Sequence, residues 1–413
     1  MKTELFFDTL TEIKQKVYNF SHQFDTSCIC DSNEMPSAYN IEKYELLVGF
    51  GLNKLISSHN KDCWKNIEQS QQWIFGQFNY QSPFNDTLKH FLFEPKLVLL
   101  IAKNSNKIEL INNGISQTEF DELVKKFSET NTDIENTPAI SLQFEALTSK
   151  EEYLKTVKQI KEDIYNGKYY EMNYCIGFKS KPILTPLLPL FVKLTKESKA
   201  PFAAYLNTKH FAILCNSPER FLYKDADILY SQPIKGTNKK HTENNQHQML
   251  LLQNDEKERA ENVMIVDLVR NDLSKICETG SVRVEELFGT YAFKSLNHLI
   301  STIKGKIKEG NNIQSIFEAL FPMGSMTGAP KKEVMIHIEK YENTPRNIYS
   351  GCIGYIDPHK NFDFNVVIRS LEFQKSEQTF LYQVGSAITY DSVPENEFEE
   401  CLLKATNIQS LFK

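Results

Sequence analysis

Two kinds of hydrophobic pattern run along the chain. Tyr153, Val157, Ile160 and Ile164 keep the three- and four-residue spacing of one helix face until Asn166-Gly167 ends it. Thr148 and Glu151 stand just ahead of that run at capping-box spacing, so a helix is predicted to begin there. A longer helix is predicted from about Asp255 to Asn271, and another from about Pro394. Phe211 to Cys215 reads as a short apolar strand. Phe362 to Phe373 alternates, with Phe362, Phe364, Val366 and Ile368 on one face and Asp363, Asn365 and Arg369 on the other. Half-polar strands of this kind suit an antiparallel sheet better than βαβ units, which predicts an α+β fold. The polar stretch Ser128 to Pro138 follows a helical pattern and predicts a boundary. It separates an N-terminal subdomain, 1–138, from a second part, 148–413, in which the chemical signals are dense. No repeat of 20–50 residues occurs.

Composition narrows the class. The 413 residues allow two or three units of roughly 150 residues, or one interlocked core. Hydrophobic residues at 41% and charged residues at 24% are ordinary globular values, which disfavours disorder. A net charge of −6 without a basic run argues against a nucleic-acid or anionic-membrane surface. The longest clean apolar run, Leu97 to Ala102, is far short of the ~20 residues of a membrane helix. Glu4 and Asp8 interrupt the place where a signal peptide needs its apolar core. The eight cysteines are scattered, with no CxxC pair, so reduced thiols in a cytoplasmic protein are expected.

Candidate chemistry lies on helix faces and in tight turns. Glu258 and Glu261 share a face of the long helix with Ile265, Leu268 and Asp272, the stripe expected to point inward. Glu397 and Glu400 share a face with Cys401, Lys404, Ile408 and Leu411. Four inward carboxylates would ask for a cation, and an all-oxygen donor set suits Mg²⁺. The spacing is equally compatible with a solvated face of ion pairs to Lys257, Arg259 or Lys404. SQPIKGT (231–237) reads as an extended segment set by Pro233 and ended by Gly236, with Lys235 on a stiff turn between them. Such a lysine is an anion clamp, a neutral nucleophile, or a plain surface group. MGSMTGAPK (323–331) precedes a helical run but lacks Walker A spacing, which disfavours a nucleotide site. His298 in NHLIST is either a satisfied core histidine or a titratable group beside a substrate.

In order, SPERF (217–221), PIKGT (233–237), KERAENVMIVDLVRNDL (257–273), NHLIST (297–302), FPMGSMTGAPK (321–331), GCIGYI (351–356), IRSLEF (368–373) and DSVPENEFEECLLKA (391–405) closely resemble the chorismate-utilising enzymes. That family includes anthranilate, aminodeoxychorismate, isochorismate and salicylate synthases. The resemblance is strong from Thr148 onward and fainter upstream, at CICDSN (28–33) and WIFGQFNYQ (73–81). It implies antiparallel sheets packed as a sandwich with helices outside, and an N-terminal subdomain like that of anthranilate synthase component I.

Lysine in PIKGT is typical of the aminodeoxychorismate branch, whereas anthranilate synthases typically carry alanine. The resemblance thus implies amination of chorismate at C4, with Lys235 as the nucleophile at C2, its amine neutral, and Glu219 as the general acid. It implies Mg²⁺ on Glu258, Glu261, Glu397 and Glu400. Arg369 and Tyr349 match contacts to the enolpyruvyl carboxylate. Gly385, Ser386, Ser325 and Lys404 match ring-carboxylate contacts; Gly236 and Thr237 line the substrate, and His298 lies near the ring. Ammonia is expected from a separate glutamine amidotransferase subunit, since no cysteine here sits in a nucleophile-elbow turn. An anthranilate synthase component I and a non-catalytic chorismate-binding homologue are the alternatives.

Three positions depart from the family pattern. Glu171 stands where isochorismate and salicylate synthases carry a water-activating lysine and the amine-transferring members usually carry glutamine. Ser386-Ala387 replaces glycines, and Gln232 replaces an arginine common before the PIKGT proline.

Overall fold

The computed structural model describes residues 1–413 apart from 37–40, 42, 58–62, 81–89, 133–141, 242, 410, 411 and 413. Positions 133–138 of the expected boundary, Gln81 and Leu411 therefore lie outside the described residues. Every strand pairing among the described residues is antiparallel. Hydrogen bonds join the strands into one continuous network.

Two-residue alternation along each strand builds the layers. In the strand Tyr44–Ser57, Leu46, Val48 and Phe50 pack with Ile13, Val17 and Phe20 of the helix Leu10–Ser21. Leu47, facing the other way, joins a cluster drawn almost wholly from strands, with Phe75, Phe93, Leu206, Ile213 and Tyr355. The strand Phe202–Asn207 divides likewise: Ala203 and Tyr205 face the helix side, Ala204 and Leu206 the strand-only cluster. In the strand Cys352–Ile356, Ile353 and Tyr355 face that inner cluster. Cys352 and Ile356 face a third, which holds Ile265, Val269 and Leu273 of the helix Glu256–Ser274 and Phe317 of the helix Ile313–Leu320. The layer order is therefore helix, sheet, inner apolar layer, sheet, helix, the expected α+β sandwich. Each such Leu, Ile, Val or Phe contributes about 1.5–3 kcal/mol by leaving water.

Strands from the N-terminal segment pair directly with later ones. Ser27–Asp31 lies against Phe202–Asn207, and Ile74–Phe78 against Cys352–Ile356. No helix among the described residues is long and apolar enough to cross a membrane.

Four local expectations are corrected. The helix Lys150–Tyr165 buries Tyr153, Val157, Ile160 and Ile164 as predicted, but its capping box is Ser149 with Glu152. Ser149 Oγ accepts from the Glu152 N–H at 3.2 Å, and Glu152 Oε2 accepts from the Ser149 N–H at 2.9 Å. Thr148, the cap suggested by spacing, is buried instead. The alternation through 362–373 is two strands, Phe362–Asn365 and Ser370–Gln374, interrupted where Arg369 takes φ +52°. Lys235 lies in a strand, Ile234–Lys239, rather than a turn, and the pairing register slips between Ile234 and Thr237 around Gly236 at φ +103°. Lastly, the helix Pro394–Gln409 buries Phe398, Cys401, Ala405 and Ile408, and leaves Glu400 exposed in an ion pair with Lys404. Its carboxylates are therefore not all on the inward face.

Candidate active site

The bulged strand Ile234–Lys239 is the hub. Slippage at Gly236 turns consecutive side chains away from strict alternation, which brings Lys235 towards the helix Glu256–Ser274. A Cβ at Gly236 would crowd Glu258 Oε2 and Leu299 Cβ, both at 3.0 Å, and would be strained at φ +103°, which favours glycine. Asn262 braces the segment, donating Nδ2–H to the Lys235 carbonyl at 3.3 Å and accepting from Ser301 Oγ at 2.6 Å.

Lys235 is nearly buried. Its Nζ donates to Glu171 Oε1 at 2.8 Å and lies 3.9 Å from Glu261 Oε2. Desolvation is the largest single influence on the lysine and opposes its charge, yet the carboxylates of Glu171, Glu261 and Glu400 together outweigh it. The pKa is raised by these carboxylates. Glu171 is the residue that sequence reasoning left without a contact, and its departure from the family pattern was the one signal of it.

Glu219 follows the strand Phe211–Ser217 and is buried. Burial pushes its carboxyl up to about 7, against the downward pull of the Ser325 hydroxyl, which donates to Oε1 at 2.6 Å. A carboxylic acid partly protonated at neutral pH is suited to donate a proton. Ser325, expected on the ring carboxylate, is thus engaged with the general-acid candidate.

Thr237 Oγ1 lies 3.0 Å from His298 Nδ1, across the antiparallel pair Thr237↔His298. Burial first, and the Arg369 charge second, push the His298 pKa well below its ordinary value, so the ring is neutral. Its Nε2 is enclosed without a hydrogen-bond partner among the described residues. Arg369 projects from the break between strands, and desolvation lowers its pKa. Tyr349 is buried beside Cys175, and burial raises its hydroxyl pKa well above the ordinary value.

Lys404 Nζ donates to the Gly385 carbonyl at 2.8 Å, and Ser386 Oγ lies 3.0 Å from Tyr153 OH, turned towards the core. Gln232, standing for the family's common arginine, accepts from Arg220 at 2.6 Å and donates to Thr302 at 3.1 Å. An arginine there would face the buried Arg220 guanidinium.

Among the described residues no three His, Cys, Asp or Glu side chains form a ready-made cation site. Glu397 accepts from Ser392 Oγ at 2.9 Å, and Glu400 pairs with Lys404 at 2.7 Å. The donor chemistry nevertheless suits a hard cation. Burial first, and then Glu261, raise the pKa of Glu258; burial, with Glu171 and Glu397, raises that of Glu261 against the pull of Lys235. The nearby Lys235 and Lys257 do not fully offset burial and carboxylate repulsion, and a divalent ion would relieve the remainder.

A family model described as chorismate binding enzyme matches residues 22–410. The chain is 32% identical over 328 residues to aminodeoxychorismate synthase component 1 of Bacillus subtilis (strain 168), covering 79% of this chain and 69% of that protein. It is 41% identical over 262 residues to the probable chloroplastic aminodeoxychorismate synthase of Oryza sativa subsp. japonica, covering 62% of this chain but 29% of that longer protein. The structure of the menaquinone-specific isochorismate synthase from Escherichia coli superposes with a TM-score of 0.80 at 18% identity, covering 100% of this chain and 94% of that one. With the family model spanning nearly the whole chain and a sheet sandwich in common, the chain belongs to the chorismate-binding enzymes.

Proposed function

We propose that the chain is a component 1 aminodeoxychorismate synthase, which converts chorismate and ammonia to 4-amino-4-deoxychorismate on the route to para-aminobenzoate and folate. The observation that carries this reading is a nearly buried lysine, Lys235, near a buried carboxyl, Glu219, whose pKa is about 7. The two are close enough that the Lys235 charge acts on Glu219.

Lys235 Nζ adds at C2 of the ring while the double bond shifts and the C4 hydroxyl departs. That hydroxyl is a poor leaving group, and protonated Glu219 supplies the proton that lets it leave as water. Ammonia then adds at C4, and the C2–N bond breaks to release the lysine amine. Arg369 and Tyr349 hold the enolpyruvyl carboxylate, the arginine by a forked charge-assisted contact. Backbone groups of Gly385 and Ser386, with Lys404, hold the ring carboxylate, Ser325 stays on Glu219, and Gly236 and Thr237 line the ring. Neutral His298 offers its unpartnered Nε2 to a ring substituent.

Glu258 and Glu261, with Glu397 and Glu400 from the C-terminal helix, would hold Mg²⁺. When bound, it neutralises the ring carboxylate and withdraws electron density from the ring.

All these residues fall between 219 and 404, which supports 148–413 as the catalytic part and 1–138 as a subdomain that completes its sheets. Ammonia comes from a separate glutamine amidotransferase subunit, for which free ammonium substitutes at high concentration. No disulfide joins the eight cysteines, all of them among the described residues, and reduced thiols support a cytoplasmic setting.

The test is mass analysis of the product formed from chorismate, Mg²⁺ and ammonium. A 4-amino product retaining the enolpyruvyl group is expected. A fluorescent 2-aminobenzoate with pyruvate release would assign the anthranilate branch, and binding without turnover a non-catalytic homologue.

A further inference from the structure

One buried guanidinium ties together three segments that carry site residues. Arg346 follows the helix Lys331–Tyr341, and its side chain is almost wholly withdrawn from water. Its fork grips Glu342: Nε donates to Oε2 at 2.9 Å and Nη2 to Oε1 at 2.7 Å. The other N–H groups go elsewhere. Nη1 donates to the Met326 carbonyl at 2.6 Å and to Ser350 Oγ at 3.3 Å, and Nη2 to the Asn173 carbonyl at 2.9 Å. All five donors of the guanidinium are thereby used. Met326 adjoins Ser325, Ser350 adjoins Tyr349, and Asn173 lies in the strand Glu171–Ser180 that pairs with Gly385 and Ser386.

The hold is closest at the short helical turn Gly324–Thr327. Two side chains take three consecutive carbonyls there. Asn173 Nδ2 donates to those of Ser325 at 3.1 Å and Thr327 at 3.5 Å, and Arg346 to that of Met326 between them. Arg346 also holds Asn173 by its carbonyl, so it fixes both the turn and the residue that grips the turn. From this turn the Ser325 hydroxyl reaches Glu219 Oε1 at 2.6 Å. Stability alone is a weak reason for such a pair. Desolvating two charges often costs as much as their attraction returns, and apolar side chains of similar volume would fill the space as well. What arginine adds is a rigid set of donors that fixes several carbonyls at once.

We propose that Arg346 is a positioning residue for the proton transfer: through the carbonyls of Met326 and Asn173 it aims the Ser325 hydroxyl, and Ser325 holds the Glu219 carboxyl in line with the leaving hydroxyl. This rests on the reading of Glu219 as the general acid given above. Among the described residues the Arg346 side chain bonds to none of those assigned to the substrate or the cation. Its influence on the reaction therefore passes through the turn.

The experiment measures kcat, KM for chorismate and the pH profile of 4-amino product formation in the full chain, with Mg²⁺ and fixed free ammonia. Arg346→Lys keeps a charge opposite Glu342 but loses the fork. Arg346→Met combined with Glu342→Gln loses both charges and leaves neither buried alone. Each is made with Ser325 and with Ser325→Ala, and none alters Lys235, whose charge also acts on Glu219. With Ser325 present, the Met/Gln pair should lower kcat by roughly tenfold or more, part of what a positioned acid contributes. KM should stay within a few-fold, and the descending limb should rise by up to roughly one to two pH units. Arg346→Lys should lose less. With Ser325→Ala the same changes should move the limb no further, because the contact they aim is already gone. An unmoved limb in the folded variants overturns the inference, as do a shift that adds to that of Ser325→Ala and a loss confined to KM. Failure of both variants to fold overturns it in favour of a purely structural role. A limb that Ser325→Ala itself leaves unmoved removes Glu219 as the acid, and this inference with it. Absence of a 4-amino product from the wild type refutes the proposed function first.

Discussion

The general-acid assignment makes a prediction about pH that can be worked from the structure. Glu219 must be protonated to act, and burial sets its pKa at about 7. The rate constant kcat/KM for 4-amino product formation should therefore fall above pH 7, about tenfold per unit once the acid is mostly ionised. Ser325 donates to Oε1 at 2.6 Å and stabilises the ionised form. A hydrogen bond to a charged group contributes about 1.5–3 kcal/mol. At 1.36 kcal/mol per pKa unit, Ser325→Ala should move the descending limb up by roughly one to two pH units. The assay is initial rate against pH with free ammonia held constant, so that ammonium ionisation does not enter the profile.

The same group carries a stability signature with a definite sign. An acid whose folded pKa lies above its unfolded value, ordinarily near 4.5, keeps its proton when the unfolded chain has lost it. Folding stability then declines as pH rises from about 4.5 to about 7 and levels off beyond. Glu219→Gln removes that decline, so its Tm advantage over the wild type should grow between pH 5 and pH 8. A descending limb that Ser325→Ala leaves unmoved, together with a Tm difference independent of pH, would refute Glu219 as the buried acid.

Three further outcomes are expected. Glu261→Gln should abolish turnover at ordinary Mg²⁺ with the circular dichroism spectrum unchanged, and near-normal activity would remove Glu261 from the cation site. Lys235→Ala should shift the product from the 4-amino to the 2-amino isomer with slow turnover. A 4-amino product at a substantial rate would make Lys235 an anion clamp only. Gly236→Ala forces a side chain into φ +103° against Glu258 and Leu299, a strain of about 1–3 kcal/mol, and should lower both Tm and kcat. An unchanged Tm would show that the bulge has other ways to adjust.

Periodicity alone carried the helices well, because their faces are set by local spacing. The stripe through Ile265 and Asp272 is buried, as the 3.6-residue period requires. Caps and breaks were harder. Thr148/Glu151 and Ser149/Glu152 spell the same motif one residue apart, and only the burial of Thr148 decides between them. The break at Arg369 has no glycine to announce it, since a non-glycine residue at positive φ is imposed by tertiary contacts. The Lys235–Glu171 pair joins positions 64 apart in sequence on strands that are not neighbours in the ladder. The resemblance to the family could flag Glu171 as unusual, but only the folded sheets bring its carboxylate to the lysine. Asn262 was legible in principle, as a polar position on the buried stripe of its helix.

The site's charges follow from which groups the fold denies to water. Glu219 and Lys235 are both withdrawn from solvent, yet their protonation diverges because their neighbours differ. Glu219 has a neutral hydroxyl from Ser325 as its main polar partner, so desolvation prevails and the proton stays on at higher pH. Lys235 has carboxylates from Glu171 and Glu261, so attraction outweighs desolvation and the proton stays on there as well. Glu219 is therefore partly protonated near neutral pH, which suits an acid, and the carboxylates beside Lys235 favour its charged form. The only hydrogen-bond acceptor on that ammonium among the described residues is Glu171 Oε1. The ion pair with Glu171 is therefore the contact that aims Nζ.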